Sequence, residues 1–212
     1  SDGTWHRAQR KQIPFHASCY YTHETAMPHG CQFDVSKTVS WTDDPVRSKE
    51  RQVLHFFYQI LGGEFWRAND NWEEGDPCWD AWYGVTCNEH GYVIALQLTD
   101  NRLEGFLPPN FGDLSHMLKL DLSSTAPDYH GHPNVDRNRV KGPMPSLRFM
   151  RQLEEIEVSG NEITALPIDL RENAGTLRSL SASFNQLTAL PLGLRHFTAL
   201  HTLELAHNSI GR

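Results

Sequence analysis

Residues 153–163 read LEEIEVSGNEI, and the same frame of apolar residues around one asparagine recurs along the second half of the chain. It returns as LRSLSASFNQL at 177–187 and LHTLELAHNSI at 200–210, and VIALQLTDNRL precedes it at 93–103. A further copy begins at Met117 and is interrupted after LDLSS, so that its asparagine is Asn138. Successive frames start 24, 36, 24 and 23 residues apart. A nearly fixed period of this length indicates a repeat architecture.

The frame L-x-x-L-x-L-x-x-N-x-L predicts an α/β solenoid of leucine-rich repeats with about five turns. Each turn contributes one short parallel strand to a concave face, and its framing apolar residues stack on those of the next turn. The asparagine amide offers an acceptor and two donors, which suits a bend where backbone groups leave the strand ladder. We therefore interpret the five asparagines as structural: Asn101, Asn138, Asn161, Asn185 and Asn208.

The long third spacing locates an insertion of thirteen residues, 125–137, and its removal restores a period of 23. Insertions in such coils form loops on one side and often hold a partner. This segment carries Asp128, Tyr129, His130, His132 and Asp136. An H-x-H pattern without a preorganising helix is a weak metal signal. We predict a solvated, partner-binding loop without a metal, and a metal site is the alternative.

Composition narrows the class of partner. The net charge is −7 and the isoelectric point is near 5.9, whereas nucleic acids and anionic membranes require a basic surface. The chain contains no run of 18 apolar residues, so we predict no membrane span. Another protein, which could be basic, is the predicted partner.

The four cysteines indicate an oxidising compartment. All lie in the first 87 residues, and four cysteines allow three pairings. Proximity in sequence favours Cys78 with Cys87 and Cys19 with Cys31. A zinc site is the alternative, but the spacings of 9 and 12 lack C-x-x-C knuckles. We expect an extracellular or lumenal protein of the secretory pathway.

The segment before the repeats predicts an N-terminal cap. TDDPVRSKERQVLHFFYQILGG has a capping aspartate, a proline in the first turn, apolar residues at helical spacing and a Gly62-Gly63 stop. Four tryptophans follow: Trp66, Trp72, Trp79 and Trp82. Because the first strand of a coil needs its open edge and apolar end covered, we assign them to packing. An aromatic platform for a ligand is the alternative.

Residues 45–212 resemble plant-type leucine-rich repeat proteins, including receptor-kinase ectodomains and polygalacturonase inhibitors. The resemblance rests on NW, GDPC and WYGVTCN in the cap and on the G-x-[IL]-P element, which stands at Gly105–Pro108 and again, with methionine in its third position, at Gly142–Pro145. It implies a disulfide between Cys78 and Cys87. ITALP and LTALP at 163–167 and 187–191 instead resemble the shorter repeats of other eukaryotic and bacterial proteins.

We divide the chain into an N-terminal extension at 1–41, the cap at 42–92 and the repeats at 93–212. The extension mixes aromatic residues and histidines without periodicity. We expect it to pack along the cap or to serve as an arm that anchors the protein to a partner. Because the fifth repeat stops just after its asparagine, we expect Arg212 not to be a free end of the working protein.

The strand positions between the framing leucines predict the working surface. This surface leans acidic, and with the strand-exit positions it comprises Gln97, Asp100, Lys119, Asp121, Glu155, Glu157, Phe184, Glu204 and His207. A solvated face without a ligand is the bland alternative. The chain has no nucleophile elbow, phosphate loop, zinc-protease or kinase motif, so we predict no enzyme and no cofactor. Protein recognition is the leading hypothesis, followed by a structural subunit held by its N-terminal arm and cap, and then by carbohydrate binding.

Overall fold

A computed structural model of the chain describes residues 44–125 and 135–211. Helix α1 spans Pro45–Ile60 and begins as predicted. The Asp44 carboxylate accepts hydrogen bonds from the amides of Val46 and Arg47, and Pro45 occupies the first helical position, where no amide is needed. Gly62, at φ 71°, ends the segment and leads into a 3₁₀ turn at Gly63–Phe65. The capping aspartate, the first-turn proline and the glycine stop therefore bound the helix as predicted.

Aromatic packing joins α1 to the rest of the cap. Phe57 is fully buried and contacts three aromatic rings, those of Trp66, Trp72 and Phe111, at centroid distances of 5.8, 6.2 and 5.5 Å. Trp82 completes the group, with its ring 5.0 Å from that of Trp72. Since Phe111 belongs to the first repeat, this cluster covers the apolar end of the coil as expected.

A disulfide closes the cap. Cys78 and Cys87 are bridged, as predicted, with their Cα atoms 5.6 Å apart. Cys87 ends strand β1 (Val85–Cys87), which pairs antiparallel with β2 (Val93–Gln97). The predicted Cys19–Cys31 pair and the extension at 1–41 lie outside the described residues.

The cap strand β1 and one short strand from each repeat, beginning with β2, build a six-stranded sheet whose strands follow in chain order. The later strands are β4 (Lys119–Asp121), β6 (Glu155–Glu157), β8 (Ser179–Ser181) and β9 (Thr202–Glu204), all parallel to β2. Their central residues stand in register and form one inward-facing row: Leu96, Leu120, Ile156, Leu180 and Leu203. The first four are buried, and Leu203 on β9 is 43% exposed.

A second sheet was not predicted from the sequence. Strands β3 (Glu104–Phe106), β5 (Arg139–Pro143) and β7 (Glu162–Ala165) pair in parallel just after the ladder asparagines. Its first strand depends on the plant-type glycine Gly105, at φ 139°, where a Cβ atom would lie 2.6 Å from the carbonyl oxygen of Ile60. Further 3₁₀ turns occur at Phe111–Asp113, Leu170–Asn173 and Leu194–His196.

The asparagines form the predicted structural ladder. The Oδ1 atom of Asn161 accepts a hydrogen bond from the amide of Val140, and its Nδ2 donates to the carbonyls of Leu122, Val158 and Ser159. Asn138, Asn185 and Asn208 make equivalent bonds to their own and adjacent turns. Asn101 instead bonds both backbone groups of Ala68, which ties the first repeat to the cap. The interpretation of these residues as scaffold is confirmed.

Candidate partner-binding surface

Two columns of side chains run across the outer surface of the six-stranded sheet, which we call the strand face. The register aligns Gln97, Asp121, Glu157, Ser181 and Glu204 in one column and Ala95, Lys119, Glu155, Ser179 and Thr202 in the other. Gln97, Glu155, Thr202 and Glu204 are exposed, whereas Ala95 and Ser181 are buried. The alignment of the columns was therefore predicted correctly from the sequence, because each pair of framing leucines fixes the side to which the residue between them points.

The strand face carries four carboxylates and one lysine. Lys119 Nζ lies 2.8 Å from Glu155 Oε2, and this hydrogen bond raises the pKa of the lysine. Asp121 and Glu157, which are register partners on β4 and β6, raise it further through their charges. One ammonium group among four carboxylates leaves the face with an excess of negative charge.

Three of these carboxylates also accept hydrogen bonds from neighbouring serines. Asp121 Oδ1 accepts hydrogen bonds from the amide and hydroxyl of Ser123, and Glu157 Oε1 accepts from the amide of Ser159. Glu204 Oε2 lies 3.3 Å from the Ser181 hydroxyl that donates to it. Such bonds fix the carboxylates in place at the strand ends, which the sequence did not reveal.

A third column follows the strands at their exits. Four of its residues have a left-handed backbone: Asp100 (φ 49°), Gly160 (74°), Phe184 (55°) and His207 (54°). The turn at this position therefore needs a residue that can adopt a positive φ. Ser124, at the same place in the second repeat, lacks a positive φ because the chain leaves there for the insertion. The ring of Phe184 is 52% exposed and stacks on that of His207, with centroids 4.1 Å apart and planes 11° apart.

The two ends of the insertion are held together at the strand exits. Ser124 and Asn138 are bonded reciprocally: the Asn138 amide donates to the serine hydroxyl at 2.8 Å, and that hydroxyl lies 3.3 Å from the Asn138 carbonyl. The Thr125 amide and hydroxyl donate to Asp100, and the guanidinium of Arg102 pairs with Asp136. Asp136 is thus an ion-pair partner of Arg102. Asp128, Tyr129, His130 and His132 lie outside the described residues.

The assignment of all four cap tryptophans to packing was wrong for one of them. Trp66, Trp72 and Trp82 are buried, but Trp79 is 67% exposed, with the Arg47 guanidinium 5.6 Å from its ring centre. Asp76 accepts hydrogen bonds from the amides of Cys78 and Trp79 and pairs with Arg47, so this turn directs the indole outward. Sequence alone does not distinguish it, because tryptophan spacing in an irregular segment carries no periodicity.

Residues 44–125 and 135–211 show neither a metal-binding cluster nor a membrane-spanning helix. They contain no group of three or more histidine, cysteine, aspartate or glutamate residues placed to hold a metal ion. No helix in these ranges is both long and apolar enough to cross a membrane.

Comparison with known proteins agrees with this geometry. No family model matches the chain. It is 30% identical over 115 residues to the receptor-like kinase TMK2 of Arabidopsis thaliana, which is 54% of this chain and 11% of TMK2. The BIR2 ectodomain of the same plant superposes with a TM-score of 0.63 at 24% identity, over 80% of this chain and 82% of that one. A BIR3–SERK2 complex, also from A. thaliana, gives 0.55 at 24% identity, over 76% and 84%.

The parallel strands, asparagine ladder and disulfide-closed cap define a leucine-rich repeat protein with a solenoid fold. The chain resembles plant receptor-kinase ectodomains, and it spans about a tenth of the length of the kinase named above. The disulfide between Cys78 and Cys87 agrees with the predicted extracellular or secretory location, because such bonds persist in oxidising compartments.

Proposed function

We propose that this protein is an extracellular recognition module that binds another protein through its strand face and the adjoining 125–137 loop. The observation that carries the proposal is the strand face itself, where polar and charged side chains of five adjacent strands stand in register beside an exposed aromatic pair. Charged residues ordered by backbone hydrogen bonds present a fixed pattern to a partner, so less entropy is lost on binding. The relatives add support, since one of the superposed structures is a complex of two proteins.

The charge of the strand face favours a basic partner. Asp121, Glu155, Glu157 and Glu204 outnumber Lys119 on this surface. Such an excess attracts an oppositely charged protein before contact, and it affects the association rate more than the final affinity. We include the loop because its described ends, at Thr125 and Asp136, are bonded to Asp100 and Arg102 of the first repeat, beside the strand exits.

Recognition without catalysis is part of the proposal. The word kinase in the names of the relatives describes whole proteins, of which this chain covers a small share. In the cap, Asp76 is engaged with Arg47 and with two backbone amides, and Glu73 pairs with His55, so these carboxylates have structural partners. A glycoside hydrolase would instead need two carboxyl groups directed at a common substrate position.

The partner is first captured from the native source, and cross-links then show which surface it contacts. The association rate is next measured for a double variant that removes two charges from the strand face. Glutamine suits positions 155 and 157 better than lysine, because Glu155 pairs with Lys119 and Glu157 accepts from Ser159. We expect E155Q/E157Q to associate about two- to tenfold more slowly at low salt and with a weaker salt dependence. The control E89Q/E172Q removes two exposed carboxylates elsewhere and should bind as the unmodified protein does. Cross-links that avoid the strand face and the loop would refute the proposal.

The second candidate is a structural subunit of a larger extracellular assembly. The exposed Trp79 on the cap is the observation that favours it, because a fixed indole can anchor an interface. A complex that resists high salt, cross-links through the cap and ignores E155Q/E157Q would favour this candidate. Carbohydrate binding by the same indole would appear when oligosaccharides protect the fluorescence of Trp79 from a quencher in solution.

A further inference from the structure

The ring pair of Phe184 and His207 combines backbone strain with exposure. Both residues lie in the left-handed region, at φ 55° and 54°, at a position that Gly160 fills in the third repeat. An aromatic residue rarely adopts this conformation, and strain of this kind concentrates at binding sites. Packing does not explain the choice, since about half of the Phe184 surface is exposed. The exposed ring is therefore a candidate binding group.

About half of Phe184 is exposed, which leaves ring surface for a ligand. His207 comes from the fifth repeat and covers one face of the ring at 4.1 Å. On the opposite side, the equivalent position of the third repeat is Gly160, which has no side chain. A planar group can therefore stack on Phe184 from the side of the third repeat. Arg137 places its Nε 2.9 Å from the Gly160 carbonyl oxygen, so a guanidinium is already held beside Gly160.

A carboxylate of the strand face precedes the ring pair along the chain. Glu204 is exposed on β9, three residues before His207, and its carboxylate accepts from Ser181, three residues before Phe184. An aromatic face attracts a cation through its quadrupole, and a neighbouring carboxylate strengthens that attraction. The excess of carboxylates on the strand face acts in the same direction.

We propose that Phe184, His207 and Glu204 form a subsite for an arginine or lysine side chain of the partner. This inference rests on the proposed recognition function, because it assigns a specific contact within the strand face. The negative charge of the strand face favours a cationic side chain as the occupant. An aromatic or aliphatic occupant would overturn the proposal.

The test uses N-acetyl-arginine amide as the probe and N-acetyl-citrulline amide as its uncharged counterpart, with binding followed by NMR of the Phe184 and His207 rings. We expect the arginine probe to shift both ring signals and the citrulline probe to shift them less. Phe184→Asn removes the ring while keeping a residue that tolerates a left-handed backbone, and it should weaken arginine binding about two- to fivefold. Glu204→Gln should weaken it similarly, and Arg137→Gln should strengthen it by removing a nearby cation.

Trp79→Leu, at an exposed aromatic of the cap, is the control and should leave the titration unchanged. Equal shifts with both probes, or unaltered binding by Phe184→Asn, would overturn the subsite. That result is separate from failure of the proposed function: a partner that cross-links to the strand face and responds to E155Q/E157Q but not to Phe184→Asn rejects the subsite alone. Cross-links that avoid the strand face reject the recognition function whatever the titration shows.

Discussion

Glu50, on the cap helix, lies with its Oε1 atom 3.3 Å from the ring Nδ1 of His116, which precedes β4. The other carboxylate oxygen accepts the amide of Val93, the first residue of β2, at 3.0 Å. The glutamate is 1% exposed, and the ring of Tyr92 stacks on that of His116 at 4.2 Å. One buried carboxylate thus joins the cap to both ends of the first repeat. Burial raises its pKa above the ordinary value of 4.5.

The raised pKa predicts a change of stability with pH. A group whose pKa is higher in the folded state contributes stability below its unfolded pKa and loses it as the pH rises through the folded pKa. We therefore expect Glu50→Gln, whose amide can keep both hydrogen bonds, to equal or exceed the unmodified protein in stability at neutral pH. The advantage should shrink at pH 4.5, because the raised pKa makes Glu50 lose its charge at a higher pH than an ordinary glutamate does. Urea unfolding at both pH values measures this, and a constant difference between the two proteins would contradict it.

The disulfide gives a second prediction. Replacing Cys78 and Cys87 together by serine should lower the free energy of unfolding by about 2–3 kcal/mol, because the nine-residue separation no longer restricts the unfolded chain. Denaturant unfolding of the double variant measures the loss. The unmodified protein in a reducing buffer should show the same loss, whereas an unchanged midpoint in both would mean that aromatic packing alone holds the cap.

The asparagine ladder predicts a gradient along the coil. Asn161→Ala should cost about 3 kcal/mol, because it leaves the Val140 amide and the carbonyls of Leu122 and Val158 without buried partners. Asn208→Ala, in the half-buried fifth repeat, should cost about 1 kcal/mol, because water can replace the lost bonds. Urea unfolding of the two variants under one condition gives the comparison. Equal costs would show that burial does not set the strength of the ladder.

We predict that the protein tolerates removal of the insertion. Deleting residues 125–137 joins Ser124 to Asn138 and restores the spacing of the other repeats. With Ser124 changed to glycine, as at Gly160, the new junction can adopt the left-handed conformation of that column. We expect cooperative unfolding with a free energy within about 1–2 kcal/mol of the unmodified protein. Circular dichroism and urea titration measure this, and loss of cooperativity would mean that the insertion helps to hold the repeats together.

Local pattern made much of this fold predictable. The helix from Pro45, the column register and the role of the five asparagines all follow from spacings within a turn, and each turn repeats the same physical problem. The second sheet escaped prediction because its three strands follow the asparagines without an apolar period of their own. The outward position of Trp79 escaped for a related reason, since it depends on the hydrogen bonds of Asp76 in an irregular turn.

The sequence by itself determined the repeat, the inward rows and the residues of the strand face, because framing leucines and asparagines act through neighbours within a few positions. Only the tertiary structure decided which of those residues interact. Glu50 reaches His116 across 66 residues, Asp136 binds Arg102 across 34, and Phe184 stacks on His207 of the next turn. Such pairs form only after the turns have stacked, because stacking brings together side chains that are far apart along the chain.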